Sequence, residues 1–141
     1  MMFNLFKKKK KESSRLVGLD IALKVSGFVT GKEHLHYGLW DKLDVNLDNL
    51  GKAQEAYTDL LFKYLPKKKK NNKLEILDIG GGAGENAKKL IALGHQVTII
   101  VPSKILAEHA KKNTNNKAKI LNTTFEDYLP KNNMFDLCLF A

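Results

Sequence analysis

The chain has 141 residues, of which 43% are hydrophobic and 28% charged, and its formal net charge is +9. This length and hydrophobic content support one domain with a packed core and exclude disorder throughout. The single cysteine, Cys138, excludes an internal disulfide, and no apolar run is long enough to span a bilayer. Because a short apolar patch precedes the first lysines, the reverse of a secretory signal, we expect a cytoplasmic protein.

The positive charge is concentrated in two lysine runs, residues 7–11 and residues 67–70. We predict that residues 1–12 form a basic flexible tail, with weak contact to an anionic membrane surface as the alternative. Nucleic-acid binding is another interpretation of such charge, but no aromatic side chain is interleaved within either run. We therefore predict lysine-rich surface and no nucleic-acid partner.

Two helices are predicted before residue 73. The first runs from the serines at positions 13 and 14, which are good N-cap residues, to about Gly27; its apolar positions are Leu16, Leu19, Ile21, Leu23 and Val25. The second spans residues 48–65 and stops at Pro66; its apolar positions are Ala53, Tyr57, Leu60, Leu61 and Tyr64. We expect the second helix to pack on the sheet beside the first strand.

Between these helices, residues 34–41 read HLHYGLWD, which is too rich in aromatic residues and histidine for an ordinary linker. Two histidines two positions apart are a weak metal signal, and without a cysteine or a further histidine nearby we predict no metal site. Tyr37 and Trp40 are candidates for core aromatics whose polar atoms are hydrogen-bonded. Any other role for them depends on the glycine-rich turn that follows later in the chain.

After residue 73 the chain alternates predicted strands with predicted helices. The strands are predicted at residues 74–79, 96–101, 118–121 and 134–141, and the helices at residues 85–93 and 104–112. Gly94 is expected as a helix C-cap and Ser103 as an N-cap. Strands that alternate with helices pair in parallel, so an α/β sheet is predicted. Cys138, in the last strand, is predicted to be a small core residue.

A glycine-rich turn follows the first of these strands. Gly80, Gly82 and Gly84 let the backbone take φ values closed to other residues and bring N–H groups close to a ligand where the next helix begins. Such a turn holds a nucleoside-containing ligand at the carboxyl end of a strand. The dinucleotide pattern G-x-G-x-x-G would need glycine or alanine where this chain has Glu85, so NAD binding is disfavoured. A structural turn without any ligand is the alternative.

Asp78 with Gly80, Gly82 and Gly84 resembles motif I of the class I S-adenosylmethionine-dependent methyltransferases, an acidic residue followed by G-x-G-x-G. The resemblance implies a Rossmann-like parallel sheet of strand order 3-2-1-4, with helices on both faces and an N-terminal helical lid. Residues 13–72 would form this N-terminal helical lid, and residues 73–141 the cofactor-binding half of the domain. The implied cofactor is S-adenosylmethionine, with Asp78 and the three glycines at its methionine portion.

The segment at residues 34–41 is similar to the lid of small-molecule methyltransferases related to cyclopropane fatty acid synthase and to the tocopherol and phosphoethanolamine methyltransferases. By that resemblance Tyr37 covers the cofactor, and Trp40 packs beside it. The interpretation of both residues as core aromatics stays open beside this one.

The loop after the third strand contains Glu126 and Asp127, which resemble the acidic loop that meets the adenine amino group in this family. Either residue can instead start a turn before Pro130. The chain departs from the family at the end of the second strand, where Val101 stands in place of the acid that most of these enzymes use for the ribose hydroxyls.

The implied function is S-adenosylmethionine-dependent methyl transfer to a small-molecule acceptor, and no catalytic residue is assigned. The chain stops on its fourth strand, so the resemblance covers only the first strands of a larger sheet. We therefore expect a truncated enzyme that is impaired, or that depends on a complementing chain or a second copy pairing with the exposed fourth strand. The alternative is a non-catalytic nucleoside-binding or regulatory module that completes its sheet with another chain.

Overall fold

The computed structural model describes residues 14–67, 73–129 and 134–140 of the chain. The basic tail predicted for residues 1–12 lies outside these ranges, as does most of the second lysine run. Within the described residues the chain forms four helices and four strands. None of these helices is long and apolar enough to cross a membrane.

Helix α1, Ser14–Thr30, begins where predicted but continues past Gly27. Within its last turn the Thr30 hydroxyl donates a hydrogen bond to the Ser26 carbonyl at 2.8 Å. The helix ends at Gly31, whose φ of 71° is the left-handed conformation typical of a helix C-terminus. The glycine that ends the helix is therefore Gly31 and not the predicted Gly27.

The predicted apolar positions of α1 do not share one face. Leu23 is buried and Leu19 packs against the same core, but Ile21 is 56% and Val25 is 55% exposed. Because successive helical residues are about 100° apart, positions two before and two after Leu23 point away from the side that it buries. The prediction that Ile21 and Val25 join the apolar face was wrong.

Helix α2, Leu47–Lys63, is close to its predicted bounds. The side chain of its N-cap residue, Asn46, accepts a hydrogen bond from the Asn49 amide at 2.9 Å. The helix packs against α1, and its buried Thr58 hydroxyl donates to the side-chain oxygen of Asn86 at 2.9 Å. Near its C-terminal end, the partly buried Leu61 and Phe62 reach the main core.

The strands are β1 (Glu75–Ile79), β2 (Gln96–Ile100), β3 (Lys119–Leu121) and β4 (Leu137–Phe140). They pair in parallel in the order β3-β2-β1-β4. Helix α3, Glu85–Ala92, connects β1 to β2, and helix α4, Lys104–Asn113, connects β2 to β3. The predicted Rossmann-like α/β architecture with strand order 3-2-1-4 is confirmed.

Both predicted helix caps are present. Gly94, just after α3, has a φ of 91°. The Ser103 hydroxyl oxygen accepts a hydrogen bond from the Leu106 amide at 3.4 Å at the start of α4. In the sheet, Ile79 is in register with Ile100 and with Phe140, so the carboxyl ends of β1, β2 and β4 lie at one edge.

The two faces of the sheet are covered differently. One face carries the main core, to which all four helices contribute; it includes Leu23, Leu61, Ile76, Leu90, Val97, Ile99, Leu106 and Leu139. On the other face a smaller core consists of Leu77, Ile79 and Ile100, covered by Leu121, Tyr128 and Phe135. None of these covering residues is helical. In the described residues the helices therefore pack on one face, and helices on the second face stay a prediction.

Cys138 is exposed in β4. Side chains alternate across a strand, so Cys138 and Phe140 point to the second face, whereas the neighbouring Leu139 is buried in the main core. Phe140 is 76% exposed, which shows how little of the described chain covers this part of the second face. The prediction that Cys138 is a core residue was wrong for this reason.

Candidate functional site

The glycine turn, residues 80–84, lies at the carboxyl end of β1. Gly80, Gly82 and Gly84 have φ values of 72°, 53° and 84°, in the left-handed region that glycine enters at little cost. The Gly80 amide donates to the Ile100 carbonyl at 2.9 Å, which fixes the turn against the end of β2. The backbone conformation predicted for the three glycines is confirmed.

The space around these glycines differs from one position to the next. A Cβ added to Gly80 or Gly82 would meet no atom within 4 Å, so the backbone there borders open space. A Cβ on Gly84 would lie 3.0 Å from the Cα of Ala110, because α4 passes close to the turn. Gly84 is therefore needed for packing as well as for conformation, while Gly80 and Gly82 leave the backbone accessible to a ligand.

Gly81 was not singled out in the sequence, and its φ is not in the left-handed region. A Cβ at this position would nevertheless lie 2.5 Å from a carboxyl oxygen of Asp78 and 2.9 Å from a methyl group of Ile99. The turn thus folds directly onto the Asp78 side chain. The signal in the sequence was the run of three consecutive glycines, of which the motif uses only the outer two.

Asp78 is fully buried, and neither of its carboxyl oxygens has a hydrogen-bond partner among the described residues. Burial raises the pKa of this carboxyl to about 7. A buried polar side chain without partners is uncommon and lowers stability unless a ligand or solvent completes its hydrogen bonds. The acidic residue of the predicted motif therefore lies beneath the turn in an unsatisfied state.

Helix α3 begins directly after the turn, with Gly84 at its N-cap position and no side-chain cap. The amides in the first turn of a helix have no partner within the helix and carry partial positive charge. Glu85, the first residue of α3, accepts a hydrogen bond on its carboxylate from the Glu33 amide at 3.1 Å. An anionic or polar ligand group beside the turn would therefore find backbone donors at the start of α3.

A cavity of about 330 Å³ lies between the glycine turn and residues 31–41, which we name the lid segment. This lid-side cavity is lined by Glu33, His34, Leu35, His36, Tyr37, Gly80, Gly81, Gly82, Ala83, Glu85 and Asn86. Its volume lies within the range of small-molecule sites in proteins. Of the predicted site residues, Tyr37, Gly80 and Gly82 line it together, although they come from distant parts of the chain.

A group of hydrogen bonds, which we name the Glu33 clasp, ties the lid segment to α4. The Glu33 carboxylate lies 2.8 Å from His109 Nδ1 and accepts a hydrogen bond from Asn113 Nδ2 at 2.7 Å. The same Asn113 nitrogen donates to the Ala83 carbonyl at 2.9 Å. Burial opposes charge on Glu33, but His109, Asn113 and nearby Lys112 hold the pKa of its carboxyl below its ordinary value. The lid segment and the glycine turn are therefore fastened to the same helix.

Tyr37 is 91% exposed and stands at the rim of the lid-side cavity. Its backbone carbonyl accepts a hydrogen bond from the indole N–H of Trp40 at 2.7 Å, and Trp40 is half-buried. The interpretation of Tyr37 as a core aromatic was therefore wrong. Its role as a cover for a ligand stays a prediction.

His34 and His36 line the same cavity from the lid segment, and no role is predicted for either of them from the sequence. The His36 ring lies 4.8 Å from the His34 ring and 4.8 Å from the Tyr57 ring. Burial lowers the pKa of both imidazoles, that of His36 to about 4, so both rings are largely uncharged near neutral pH. No group of three or more His, Cys, Asp or Glu side chains in the described ranges is arranged to hold a metal ion.

A second cavity, of about 700 Å³, lies where β1 and β2 end, and we name it the strand-end cavity. It is lined by Leu19, Ile79, Gly80, Ile100, Val101, Pro102, Ser103, Leu106, Thr124, Phe125, Glu126 and Phe140. Gly80 borders both cavities, so the two meet at the glycine turn. Most of the lining side chains are apolar, which suits a flat ring system with few polar contacts.

The two acidic residues predicted after β3 are separated by the fold. Glu126 lines the strand-end cavity, whereas Asp127 does not. The Asp127 carboxylate accepts a hydrogen bond from the Thr124 hydroxyl at 2.8 Å, and the Asp127 amide donates to that hydroxyl at 3.2 Å. Asp127 therefore has the turn-forming role that was the alternative for this loop, and Glu126 is the residue that reaches the cavity.

Val101 forms an apolar part of the strand-end cavity and is only 1% exposed. Its carbonyl accepts a hydrogen bond from Asn122 Nδ2 at 2.8 Å, and its amide donates to the Leu121 carbonyl at 3.0 Å. The end of β2 therefore offers a ligand no carboxylate, and the backbone groups of Val101 are already paired.

The family described as "Methyltransferase domain" matches residues 77–141 of the chain. The match includes Asp78, the glycine turn and Glu126. The predicted resemblance of this part of the chain to a methyltransferase domain is thereby confirmed. No curated protein matches the sequence.

Solved structures share the fold of the chain. A geranyl diphosphate methyltransferase in complex with GPP and sinefungin has a TM-score of 0.66 at 17% identity, covering 84% of this chain. The mycolic acid cyclopropane synthase CmaA1, complexed with SAH and CTAB, has a TM-score of 0.67 at 19% identity, covering 87%. The [4+2]-cyclase SpnF has a TM-score of 0.63 at 20% identity, covering 86%. The chain spans 50%, 42% and 46% of these three structures respectively, about half of their length.

Proposed function

We propose that this chain, whose residues 77–141 match the methyltransferase domain, binds S-adenosylmethionine and serves methyl transfer to a small-molecule acceptor. The observation that carries the proposal is the buried Asp78 carboxyl, which lacks hydrogen-bond partners beneath a turn whose backbone is open at Gly80 and Gly82. The ammonium group of the cofactor is a hydrogen-bond donor, and its carboxylate is an acceptor for the amides that begin α3. The open backbone at Gly80 and Gly82 and the amides at the start of α3 therefore fit this cofactor, although Asp78 itself lines neither of the two cavities.

The two cavities that Gly80 borders are proposed to hold the two ends of the cofactor. We assign the methionine portion to the lid-side cavity, beside Gly82 and Gly84 and above Asp78. We assign the adenosine portion to the strand-end cavity, where apolar side chains line most of the wall and Glu126 supplies a carboxylate. Asp127 is left out of the site because its carboxylate is bonded to the Thr124 hydroxyl.

The bound cofactor would supply an electrophilic methyl group on a sulfonium, and the chain's residues orient it and exclude water. Tyr37 at the rim is proposed to cover the reacting end. The Glu33 clasp holds the lid segment on α4, the helix that also supports the glycine turn. The two walls of the cavity are thereby held in a fixed relative position. No general base is assigned, since the described residues do not define where the acceptor atom would lie.

We further propose that a complementing chain, or a second copy of this one, pairs with β4. In the described residues β4 is hydrogen-bonded to β1 and forms the edge of the sheet, and Cys138 and Phe140 are exposed beside that edge. An open strand edge with apolar side chains is a surface for strand addition. Light scattering after size-exclusion chromatography should show association that Phe140→Lys weakens, and a monomer at every concentration would rule out the second copy.

A second candidate is a nucleoside-binding module without catalysis. It is favoured by one observation: the described residues form both cavities around Gly80 but define no site for an acceptor. The SpnF structure, a [4+2]-cyclase by name, has the same fold, so the fold alone does not fix the reaction. Binding of the cofactor without transfer of its methyl group, with or without a complementing chain, would support this candidate.

The test of cofactor binding is calorimetric titration of the purified chain with S-adenosylhomocysteine and then with S-adenosylmethionine. We expect saturable heat with both ligands, which Asp78→Asn reduces. The matched control is Asp59→Asn, an aspartate on α2 with a side chain 68% exposed, which should bind like the wild type. A folded wild-type chain that gives no heat with either ligand would leave the glycine turn a purely structural feature.

A further inference from the structure

We infer that the Glu126 carboxylate receives the two ribose hydroxyls of the nucleoside, and that the adenine amino group is held elsewhere. This inference rests on the proposed function, since it concerns the adenosine portion of the same ligand. From the sequence, Glu126 is expected to contact the adenine amino group. The present inference assigns it to the ribose instead.

A ribose presents two neighbouring hydroxyl groups, and each can donate a hydrogen bond. A carboxylate is the side chain that offers two acceptor oxygens together, so it matches such a pair. Glu126 is the one carboxylate among the described residues that line the strand-end cavity. Neither of its oxygens is hydrogen-bonded to another described residue, and the side chain is exposed at the cavity wall.

The other polar groups of this cavity are less suited to the ribose. The Thr124 hydroxyl donates to Asp127 and accepts from the Asp127 amide. The Ser103 hydroxyl already caps α4 by accepting from the Leu106 amide. Val101 is apolar, and its backbone carbonyl is paired with Asn122. Glu126 is therefore the group that remains to accept hydrogen bonds from a diol.

The adenine makes smaller demands on side chains. It is a flat ring that packs on apolar surface, and the strand-end cavity offers Pro102, Leu106 and Phe125 for that purpose. Its amino group needs a single acceptor, which a backbone carbonyl supplies as well as a carboxylate does. A carboxylate is not required for the adenine, whereas a diol without an acceptor would remain unpaired.

The experiment compares wild type, Glu126→Gln and the control Glu108→Gln, which changes an exposed glutamate of α4 that does not line the cavity. Each is titrated calorimetrically with S-adenosylhomocysteine, with its 2′,3′-dideoxy analogue and with its N6,N6-dimethyl analogue. Glu126→Gln should bind S-adenosylhomocysteine about tenfold more weakly than wild type, the usual scale for losing a hydrogen bond to a charged group. The control should match wild type with every ligand.

The analogues separate the ribose from the adenine. For a ribose contact, the dideoxy analogue binds wild type and Glu126→Gln equally, because the partner of the carboxylate is already absent. The dimethyl analogue still shows the tenfold difference. The reverse pattern would return Glu126 to the adenine, and equal binding of S-adenosylhomocysteine to wild type and Glu126→Gln would remove it from the site. Absence of binding to wild type would instead reject the proposed function itself, which these other outcomes leave intact.

Discussion

Asp78 and Gly81 are packed so closely that no side chain fits between them: a Cβ on Gly81 would lie 2.5 Å from one carboxyl oxygen and 2.7 Å from the carboxyl carbon. The glycine turn therefore closes over the carboxyl and removes it from water. Because no described residue donates a hydrogen bond to the Asp78 carboxyl, burying this side chain lowers the stability of the chain. Such a loss of stability beside a binding turn is expected where a bound ligand completes the missing hydrogen bonds.

Replacing Asp78 by asparagine should stabilise the ligand-free chain near neutral pH. Burial raises the pKa of this carboxyl from its ordinary value of 3.8 to about 7. The unfolded chain therefore loses this proton at lower pH than the folded chain, so stability falls as pH rises from 3.8 to about 7 and then levels off. Asp78→Asn abolishes that fall and should raise the free energy of unfolding at about pH 8 by roughly 1–3 kcal/mol.

Denaturant titrations of wild type and Asp78→Asn at about pH 5 and about pH 8, without ligand, measure this difference. Asp59→Asn, an exposed change on α2, should keep the pH slope of wild type. A slope that is the same in Asp78→Asn and wild type would show that the carboxyl is hydrated or paired in solution.

Gly82→Ala and Gly84→Ala form a second matched pair, since both residues have positive φ. At Gly82 an added Cβ meets open space, so the cost is the left-handed conformation alone, about 1–2 kcal/mol. At Gly84 the Cβ also meets the backbone of Ala110, which adds an overpacking cost of about 1–3 kcal/mol. Thermal or denaturant unfolding should therefore show a lower stability for Gly84→Ala than for Gly82→Ala. Equal losses of stability would mean that α4 can move away from the turn.

The fold was largely readable from local sequence signals. The strands after residue 73, the helices between them and the caps at Gly94 and Ser103 follow from periodicity and from residues with narrow conformational preferences. The strand order came from the family resemblance carried by Asp78 and its glycines, and pairing confirms it.

Only part of the candidate site could be predicted from the sequence, because the site depends on contacts between distant segments. The Glu33 clasp joins residues far apart in sequence, and no local pattern marks His109 or Asn113 as partners of the lid segment. Cys138 was misassigned because a strand pattern predicts alternation but does not say which face is covered. Glu126 and Asp127 are adjacent and chemically alike, so only the turn at Thr124 distinguishes the one that lines the cavity.

Loosening the Glu33 clasp should free the lid segment without unfolding the sheet. Asn113→Ala removes the hydrogen bonds to Glu33 and to the Ala83 carbonyl, a loss of about 1 kcal/mol, or roughly fivefold faster local opening. Hydrogen exchange read by mass spectrometry should show faster exchange at residues 31–37 and unchanged exchange in β1 and β2. Lys111→Ala, an exposed change on the same helix, is the control.

The same clasp should weaken in acid. The pKa of Glu33 is held below its ordinary value of 4.5, so its stabilising effect is present above that pH and is lost as pH falls through the lowered value. Exchange at residues 31–37 should therefore accelerate on acidification in wild type, after correction for the intrinsic rate. The Glu33→Gln variant should show a smaller acceleration, since Glu55, His34 and His36 of the same region still titrate in acid. An acceleration equal to that of wild type would assign the effect to those groups.

Glu55 gives the lid segment a second tie, because its carboxylate pairs with Lys32 and with Lys89 of α3. Burial opposes charge on this carboxylate, but the two lysines lower its pKa to about 2. Its contribution to stability is thus present above the ordinary value of 4.5 and is lost between there and about pH 2. Glu55→Gln should cost about 1 kcal/mol at neutral pH and flatten the acid limb of the stability curve. Asp20→Asn, in an exposed pair with Lys24, should leave that limb unchanged.

The Tyr37→Ala variant tests whether the Tyr37 ring covers a ligand in the lid-side cavity. Its side chain is 91% exposed, so Tyr37→Ala should change the free energy of unfolding by less than about 0.5 kcal/mol. If the ring closes over the bound cofactor, the same change should weaken binding of S-adenosylhomocysteine about tenfold, since the ring then loses its contact and admits water. Tyr64→Ala removes a tyrosine that is 79% exposed at the end of α2, away from both cavities, and should bind like wild type. Calorimetry measures the affinity of wild type, Tyr37→Ala and Tyr64→Ala for S-adenosylhomocysteine. Equal affinities would leave Tyr37 a surface residue, and a loss of affinity confined to Tyr37→Ala would make it part of the site.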